Sequence, residues 1–326
     1  MKKPIVVALF MILVFGPVGF AHDDDGIPIS FLLKNSDLIV EGIVLDVNMS
    51  TEFYQLVVSA EKTYLGTGAS GNMSVDLPLN SERRAVKDGR YVLFLKNDNG
   101  KWSVLYSFNS DDTVFKSDFE NVMQKYVANT DLFSKESISE LKELFFSLNH
   151  KDMIHSFLYE IQPFLTADDL PFLQTLFESG NTLYKSFSIR RMGDLKLDSM
   201  RTLIEKELAS TSNDIIILSC IYSLGHIGNR ESYPVLSGHL HSQNTSIQRN
   251  AIGAAGLLKE DSALEPLKEI YAQDVSSLTK LAIITAVIRI AENNEIVETL
   301  NYFLTIENKP FLVEHLAEKI KEFEIK

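Results

Sequence analysis

Two hydrophobic periodicities divide this chain. From about Ile27 to Phe115 apolar residues alternate with polar ones. Over Tyr54–Tyr64, Tyr54, Leu56, Val58 and Ala60 share one side while Gln55, Ser59, Glu61 and Thr63 share the other, the pattern of a half-buried strand. Leu38–Val47 reads as a more apolar strand interrupted at Gly42, where a bulge or sharp bend fits. Tyr91–Leu95 and Trp102–Tyr106 flank Asp98-Asn99-Gly100, a hairpin signal because a type I′ turn needs positive φ at both central residues. With Met73–Leu77 these segments predict about five evenly spaced strands, hence a small antiparallel barrel or sandwich.

After Ser117 the period becomes helical. Phe119, Val122, Met123 and Tyr126 form one stripe. Ser137-Ile138-Ser139-Glu140 reads as a capping box ahead of Leu141, Leu144, Phe145 and Leu148. Turns at Gly180-Asn181, Gly228-Asn229, Glu260-Asp261 and Asn293-Asn294 divide the rest. Cys220–Gly228, Ala251–Lys259 and Ala282–Ile290 repeat one pattern at a spacing of 31 residues, aligning Leu224, Ala255 and Ala286. Such a period predicts stacked helix pairs, since neither helix buries its apolar stripe alone. The second helices are expected at Leu170–Glu178, Ser199–Leu208, Glu231–His241, Ser262–Tyr271 and Glu295–Leu304.

The fold expected is therefore α+β in separate domains. A barrel occupies 27–116, connecting helices 117–149, and an all-α solenoid 150–326. Ahead of them, Lys2 and Lys3, the apolar run Ile5–Phe15, the breakers Gly16-Pro17 and the small residues of Gly19-Phe20-Ala21 read as a signal peptide over 1–21. The expected location is periplasmic or secreted, the alternative an N-terminal anchor with the domains outside the cytoplasm. Residues 22–26 read as a solvated acidic leader. Past Ala21 no run reaches the ~18 apolar residues of a spanning helix.

Charge then excludes partners. Losing Lys2 and Lys3 with the leader takes the formal net charge from −13 to −15, with no basic stripe to neutralise phosphates or anionic lipid. Cys220 is the one cysteine, so no intramolecular disulfide forms, and its place on an apolar helix face reads as a small buried hydrophobe.

Candidate chemistry reduces to structural roles. His22 would head the mature chain but lacks a second imidazole in the β domain; the other histidines are His150, His155, His226, His239, His241 and His315. Asp23-Asp24-Asp25-Gly26 lacks the alternating ligands of a calcium loop. His239 and His241, two apart on a helix, do not face each other. Asp111-Asp112 and Asp168-Asp169 are adjacent rather than opposed across a cleft; the latter suit a helix start. Gly225-His226-Ile227-Gly228 lacks the strand and lysine of a phosphate loop, and no nucleophile elbow appears. The sequons at Asn48, Asn72 and Asn244 matter only in a eukaryotic secretory route. No catalytic, cofactor or metal residue is assigned.

Ser223-Leu224-Gly225-His226-Ile227-Gly228, Pro234-Val235-Leu236 and Ser246-Ile247-Gln248-Arg249-Asn250-Ala251 resemble the HEAT family, particularly the short HEAT-like repeats of phycobilin lyases. The resemblance includes an arginine before the inner helix, Arg249, with Lys280 in its place one repeat later. It is good over about 211–292 and degenerate over 150–210 and 293–326, as capping repeats are. It implies an α-solenoid, not lyase chemistry. Ser36–Val44, Lys62–Gly66 and Gly89–Leu95 are similar to bacterial exported domains related to tissue inhibitors of metalloproteinases, which are OB-like barrels. Those inhibitors place an amino-terminal cysteine on the protease metal; this chain has none there.

The function expected is an exported, non-enzymatic interaction scaffold gripping a protein or peptide through the second helices, where Arg201, Lys206 and Lys268 are candidate exposed positions that read equally as solvated charges and are not assigned as a site. One alternative is an inhibitor or ligand-binding module acting through the β domain. The other is a cofactor-handling, lyase-like enzyme, which needs a convergent polar pocket.

Overall fold

The computed structural model describes residues 29–49, 53–67, 71–78, 88, 90–98, 101–109, 113–129, 131–149, 151–291 and 293–324. The expected signal peptide, the acidic leader with His22, the pair Asp111-Asp112 and His150 lie outside the described residues. The chain divides into two compact units, Asp23–Leu165 and Thr166–Lys326.

The first unit holds five strands, β1 Leu38–Met49, β2 Phe53–Leu65, β3 Gly71–Pro78, β4 Arg90–Asp98 and β5 Lys101–Asn109. Their order is β1-β2-β3-β5-β4, closing on β1. All pairings are antiparallel except β3 with β5, a short parallel contact. Inward positions alternate as the sequence predicts: Leu38, Val40, Val44, Leu56, Val58, Val75, Leu93 and Leu95 fill the interior. The ladder shifts between Glu41 and Gly42, and a Cβ on Gly42 would lie 2.5 Å from the carbonyl oxygen of Ser59. The expected bulge is there, and only glycine lets the two backbones approach. Asp98 pairs with Lys101, the register of a two-residue connection; Asn99 and Gly100 themselves lie outside the described residues.

Helices also belong to this unit: α1 Ile29–Asn35, α2 Thr113–Ala128, α3 Ile138–Ser147 and α4 Lys151–Ile161. The unit boundary thus falls after α4, a helix that the sequence pattern assigns to the solenoid. Residues facing away from the barrel interior, such as Ile39 and Phe94, are buried too, and α2 supplies a reason. Its Phe119 meets the rings of Tyr64 at 5.0 Å and Phe94 at 5.8 Å, both edge-on. The Ser137 capping box does not form. No side-chain cap bond comes from Ser137; its hydroxyl and Glu140 instead accept from the Asn129 amide at 3.1 and 3.4 Å.

The second unit repeats one pair. Its first helices are α6 Thr182–Asp194, α8 Asp214–Ile227, α10 Thr245–Leu258 and α12 Ser277–Ile290. Its second helices are α5 Leu170–Glu178, α7 Arg201–Ser210, α9 Tyr233–Ser237, α11 Leu264–Tyr271 and α13 Asn293–Ile306, followed by α14 Pro310–Glu324. Each first helix carries a side-chain cap: Asn181, Asn213, Asn244 and Ser276. Asn213 Oδ1 accepts the amides of Ile215 at 3.0 Å and Ile216 at 3.4 Å, satisfying two donors that a helix start leaves open. We expect Asn213→Ala to cost about 1 kcal/mol of stability by urea unfolding, with Asn213→Gly costing less.

The caps correct the repeat register. Their steps are 32, 31 and 32 residues, so Ala286 corresponds to Ala254 rather than Ala255. Arg249 and Lys280 lie inside their helices, not before them, and they are not equivalents. Lys280 stands where Gln248 and Lys185 stand. One added residue in the connection before α12 causes the slip. In the structural register Gly193, Gly225 and Gly256 each face a small residue on the next first helix. A Cβ at 225 would lie 3.0 Å from Ala254 Cα, and one at 256 would lie 2.8 Å from Ala286 Cα. Short 3-10 turns lead into α7, α9 and α11. The second helix expected to reach His241 ends at Ser237, where Gly238 and tight bonds from His239 N and Leu240 N turn the chain.

Candidate functional site: the repeat face and its charged centres

The repeats are held in register by two cation clamps. In the first, Lys185 of α6 lies over the Phe177 ring of α5, 5.0 Å from its centroid, and bonds Glu207 of α7 at 3.1 Å. In the last, Lys280 of α12 lies 4.8 Å over Tyr271 of α11 and bonds Glu307 after α13 at 2.9 Å. The same position thus holds an aromatic ring from the preceding second helix and a carboxylate from the following one. Tyr271 also stacks on Phe303 at 3.9 Å and donates its hydroxyl to Glu307 at 2.9 Å.

Glu307 is a fully buried carboxylate. Burial pushes its pKa up, but the amides of Lys309 and Asn308, the Lys280 ammonium and the Tyr271 hydroxyl outweigh it and hold the group at about 2. Tyr271 moves the opposite way, raised by burial and by that carboxylate.

A third centre joins α6 to α8. The Arg190 guanidinium covers the Tyr222 ring at 4.2 Å, and the His226 ring stacks on Tyr222 at 3.9 Å between centroids. Tyr222 donates to Asp194 at 2.8 Å, and burial first, then that bond, pushes its phenol up to about 12. His226 Nδ1 lies 2.9 Å from the Tyr222 carbonyl oxygen, and Gly228 ends the helix at φ 78°. The Gly225–Gly228 segment is the C-terminal end of α8 rather than a phosphate loop.

Of the three cations expected on the second-helix face, Lys206 is exposed. Arg201 is not a solvated charge: it bonds Glu205 at 3.0 Å and Glu231 at 2.6 Å, tying α7 to the next repeat. Lys268 bonds Glu265 at 2.8 Å on its own helix. Cys220 is buried, and desolvation raises its thiol pKa strongly, the opposite of a reactive cysteine. His239 and His241 leave the helix altogether, and burial lowers the His239 pKa. Asp169 serves a helix start: its carboxylate accepts from Thr166 N at 2.7 Å and Thr166 Oγ1 at 3.1 Å, while Asp168 stays exposed. Asn244 is spent as a cap and also donates to Asp214 at 2.8 Å. Among the described residues no three His, Cys, Asp or Glu side chains stand together as a metal site.

The barrel unit has a charged centre that the alternation did not single out. Glu41 of β1 points outward yet is buried. It accepts from Lys116 of α2 at 2.9 Å and from Tyr64 of β2 at 3.1 Å, with Arg90 of β4 at 3.7 Å. Tyr64 also donates to Glu120 of α2 at 3.2 Å, and burial followed by Glu41 and Glu120 raises its pKa strongly. A glutamate inside the apolar run Leu38–Val47 was the available signal. Glu307 offered none, because its side-chain partners come from two other helices, Tyr271 of α11 and Lys280 of α12.

Residues 201–288 match the family model for HEAT repeats. The helical region is HEAT-like. No curated protein matches the chain by sequence. Similar solved structures include the complex of CpcE and CpcF of phycocyanin lyase from Nostoc sp. PCC7120, at 15% identity, 65% coverage of this chain, 91% of that chain and a TM-score of 0.36.

Proposed function

We propose that this chain is an exported, non-enzymatic scaffold that binds a protein or peptide partner through the second helices of its repeats. The carrying observation is the HEAT match over 201–288, on helices whose first members are spent in mutual packing. Repeats of this kind stack into extended surfaces. Roughly 800 Å² per partner is the area a standard interface needs. The charged centres described above have their polar atoms engaged within the fold, which supports a structural rather than catalytic use of them. Among the described residues no helix is long and apolar enough to cross a membrane. The reading of 1–21 as a signal peptide supports export to the periplasm or beyond. The parallel β3–β5 contact and the β1-β2-β3-β5-β4 order support reading the β unit as OB-like.

The test is lysine crosslinking of the whole mature chain in its native compartment, followed by mapping of the partner's attachment points. Attachment at Lys206 and Lys268 is expected. Attachment confined to barrel lysines such as Lys62 and Lys96 would transfer binding to the β unit and overturn the proposal.

A further inference from the structure

The last second helix has a face that the fold leaves uncovered. In α13 the buried positions are Ile296, Thr299, Leu300 and Phe303. At 100° per residue, Glu295, Glu298, Tyr302 and Ile306 fall together along one flank of the same helix. Tyr302 is 42% and Ile306 41% exposed, and Phe311, at the start of α14 after a three-residue connection, is 50% exposed. Large apolar side chains one turn apart in water favour a partner that covers them.

Charge selects the occupant. Glu295 and Glu298 continue the apolar pair toward the helix start, and the neighbouring second helix α11 exposes Glu265 and Glu269. Glu265 is taken by Lys268, whereas among the described residues Glu269, Glu295 and Glu298 enter no ion pair. Earlier second helices differ: α5 exposes Pro171, Gln174, Thr175 and Glu178, α7 exposes Thr202, Leu203, Lys206, Ala209 and Ser210, and α9 exposes Pro234. Acidic and apolar character therefore combine at the C-terminal pair. A second copy of this chain, at net charge −13, would be repelled there, and so would nucleic acid or anionic lipid.

We propose that the Glu295–Glu298–Tyr302–Ile306 flank of α13 docks a basic protein segment that places apolar side chains on Tyr302 and Ile306 and lysines or arginines beside the glutamates. This deepens the scaffold reading and rests on it. An amphipathic segment with anchors at i, i+3 and i+7 would match the stripe.

The test uses the whole mature chain and a fluorescein-labelled peptide with leucines at i, i+3 and i+7 and lysines between them. Controls are the same peptide with glutamates for lysines, and an all-lysine peptide without leucine. Saturable binding of the first peptide is expected, weakened by added salt and weakened roughly tenfold or more in Tyr302→Ser/Ile306→Ser and in Glu295→Lys/Glu298→Lys. The Lys135→Glu variant, at an exposed position between α2 and α3 and away from the second helices, should bind as the parent does. All four substituted positions are exposed, so unchanged thermal unfolding verifies the fold of each variant. Equal binding of the acidic peptide, equal binding of the all-lysine peptide, absence of saturation, or insensitivity to both double variants would each overturn the proposal. If the α13 variants still capture the native partner at Lys206 and Lys268, this docking site fails while the scaffold reading stands. If the partner attaches only to the barrel, the scaffold reading itself fails.

Discussion

Glu307→Ala should destabilise the helical unit by about 3–5 kcal/mol, the usual cost of stranding one member of a buried ion pair. Four donors converge on this carboxylate: Lys280 Nζ and Tyr271 Oη at 2.9 Å, and the amides of Asn308 and Lys309 at 3.0 Å each. Removing it leaves a mostly buried ammonium, a buried hydroxyl and two amides without their acceptor. Urea unfolding followed by circular dichroism measures the loss. The double variant with Lys280→Met should lose less than the sum of the single changes, because the stranded cation is gone. Strict additivity would show that the pair is not coupled. The same group sets an acid dependence. Its folded pKa of about 2 lies below the ordinary 4.5, so its stabilisation is complete above about pH 4.5 and disappears as pH falls toward 2. That shift corresponds to about 3 kcal/mol. Glu307→Gln should flatten the acid limb of the stability profile over this window.

Gly256→Val should cost about 3 kcal/mol, at the upper end of overpacking effects. The Cβ alone would sit 2.8 Å from Ala286 Cα, a backbone atom that a side-chain rotation cannot move. The only relief is to part α10 from α12, which opens the apolar stripe that both helices bury there. Amide hydrogen exchange should show faster opening of α10 and α12 before α6. Gly238→Ala is the internal control, since the nearest atom to a Cβ there is 4.0 Å away, and it should be neutral or slightly stabilising. Equal losses at both positions would mean that the close helix approach is not what the glycine at 256 provides.

How far the chain could be read in advance differs between its halves. The barrel interior was legible because a strand has a period of two, so Leu56 and Val58 declare one face without reference to anything distant. Glu41 broke that pattern visibly, but its burial depends on α2, which begins 72 residues later and brings Lys116. The repeats were legible through small residues: Gly225 and Gly256 recur because successive helices touch at those points. Gly193 belongs to the same ladder, facing Ser223, but its repeat is degenerate elsewhere, so no periodicity in the sequence marks it. The register slipped by one at α12 because spacing in sequence counts connection residues, whereas the Asn and Ser caps count helix starts. Arg201 looked like an open surface charge since its partners, Glu205 and Glu231, straddle a repeat boundary.

By itself the sequence determined the two classes of structure, the five strands and the stacked helix pairs. Periodicity and glycine placement are local consequences of backbone geometry and sterics, and they survive without coordinates. Only the tertiary structure decided which charges are free. Lys280, Arg201 and Glu41 are bound inside the fold, whereas Glu295 and Glu298 share a helix flank with the exposed Tyr302 and Ile306. The physical reason is that a charge's availability depends on partners and burial brought from distant segments, which no local pattern encodes.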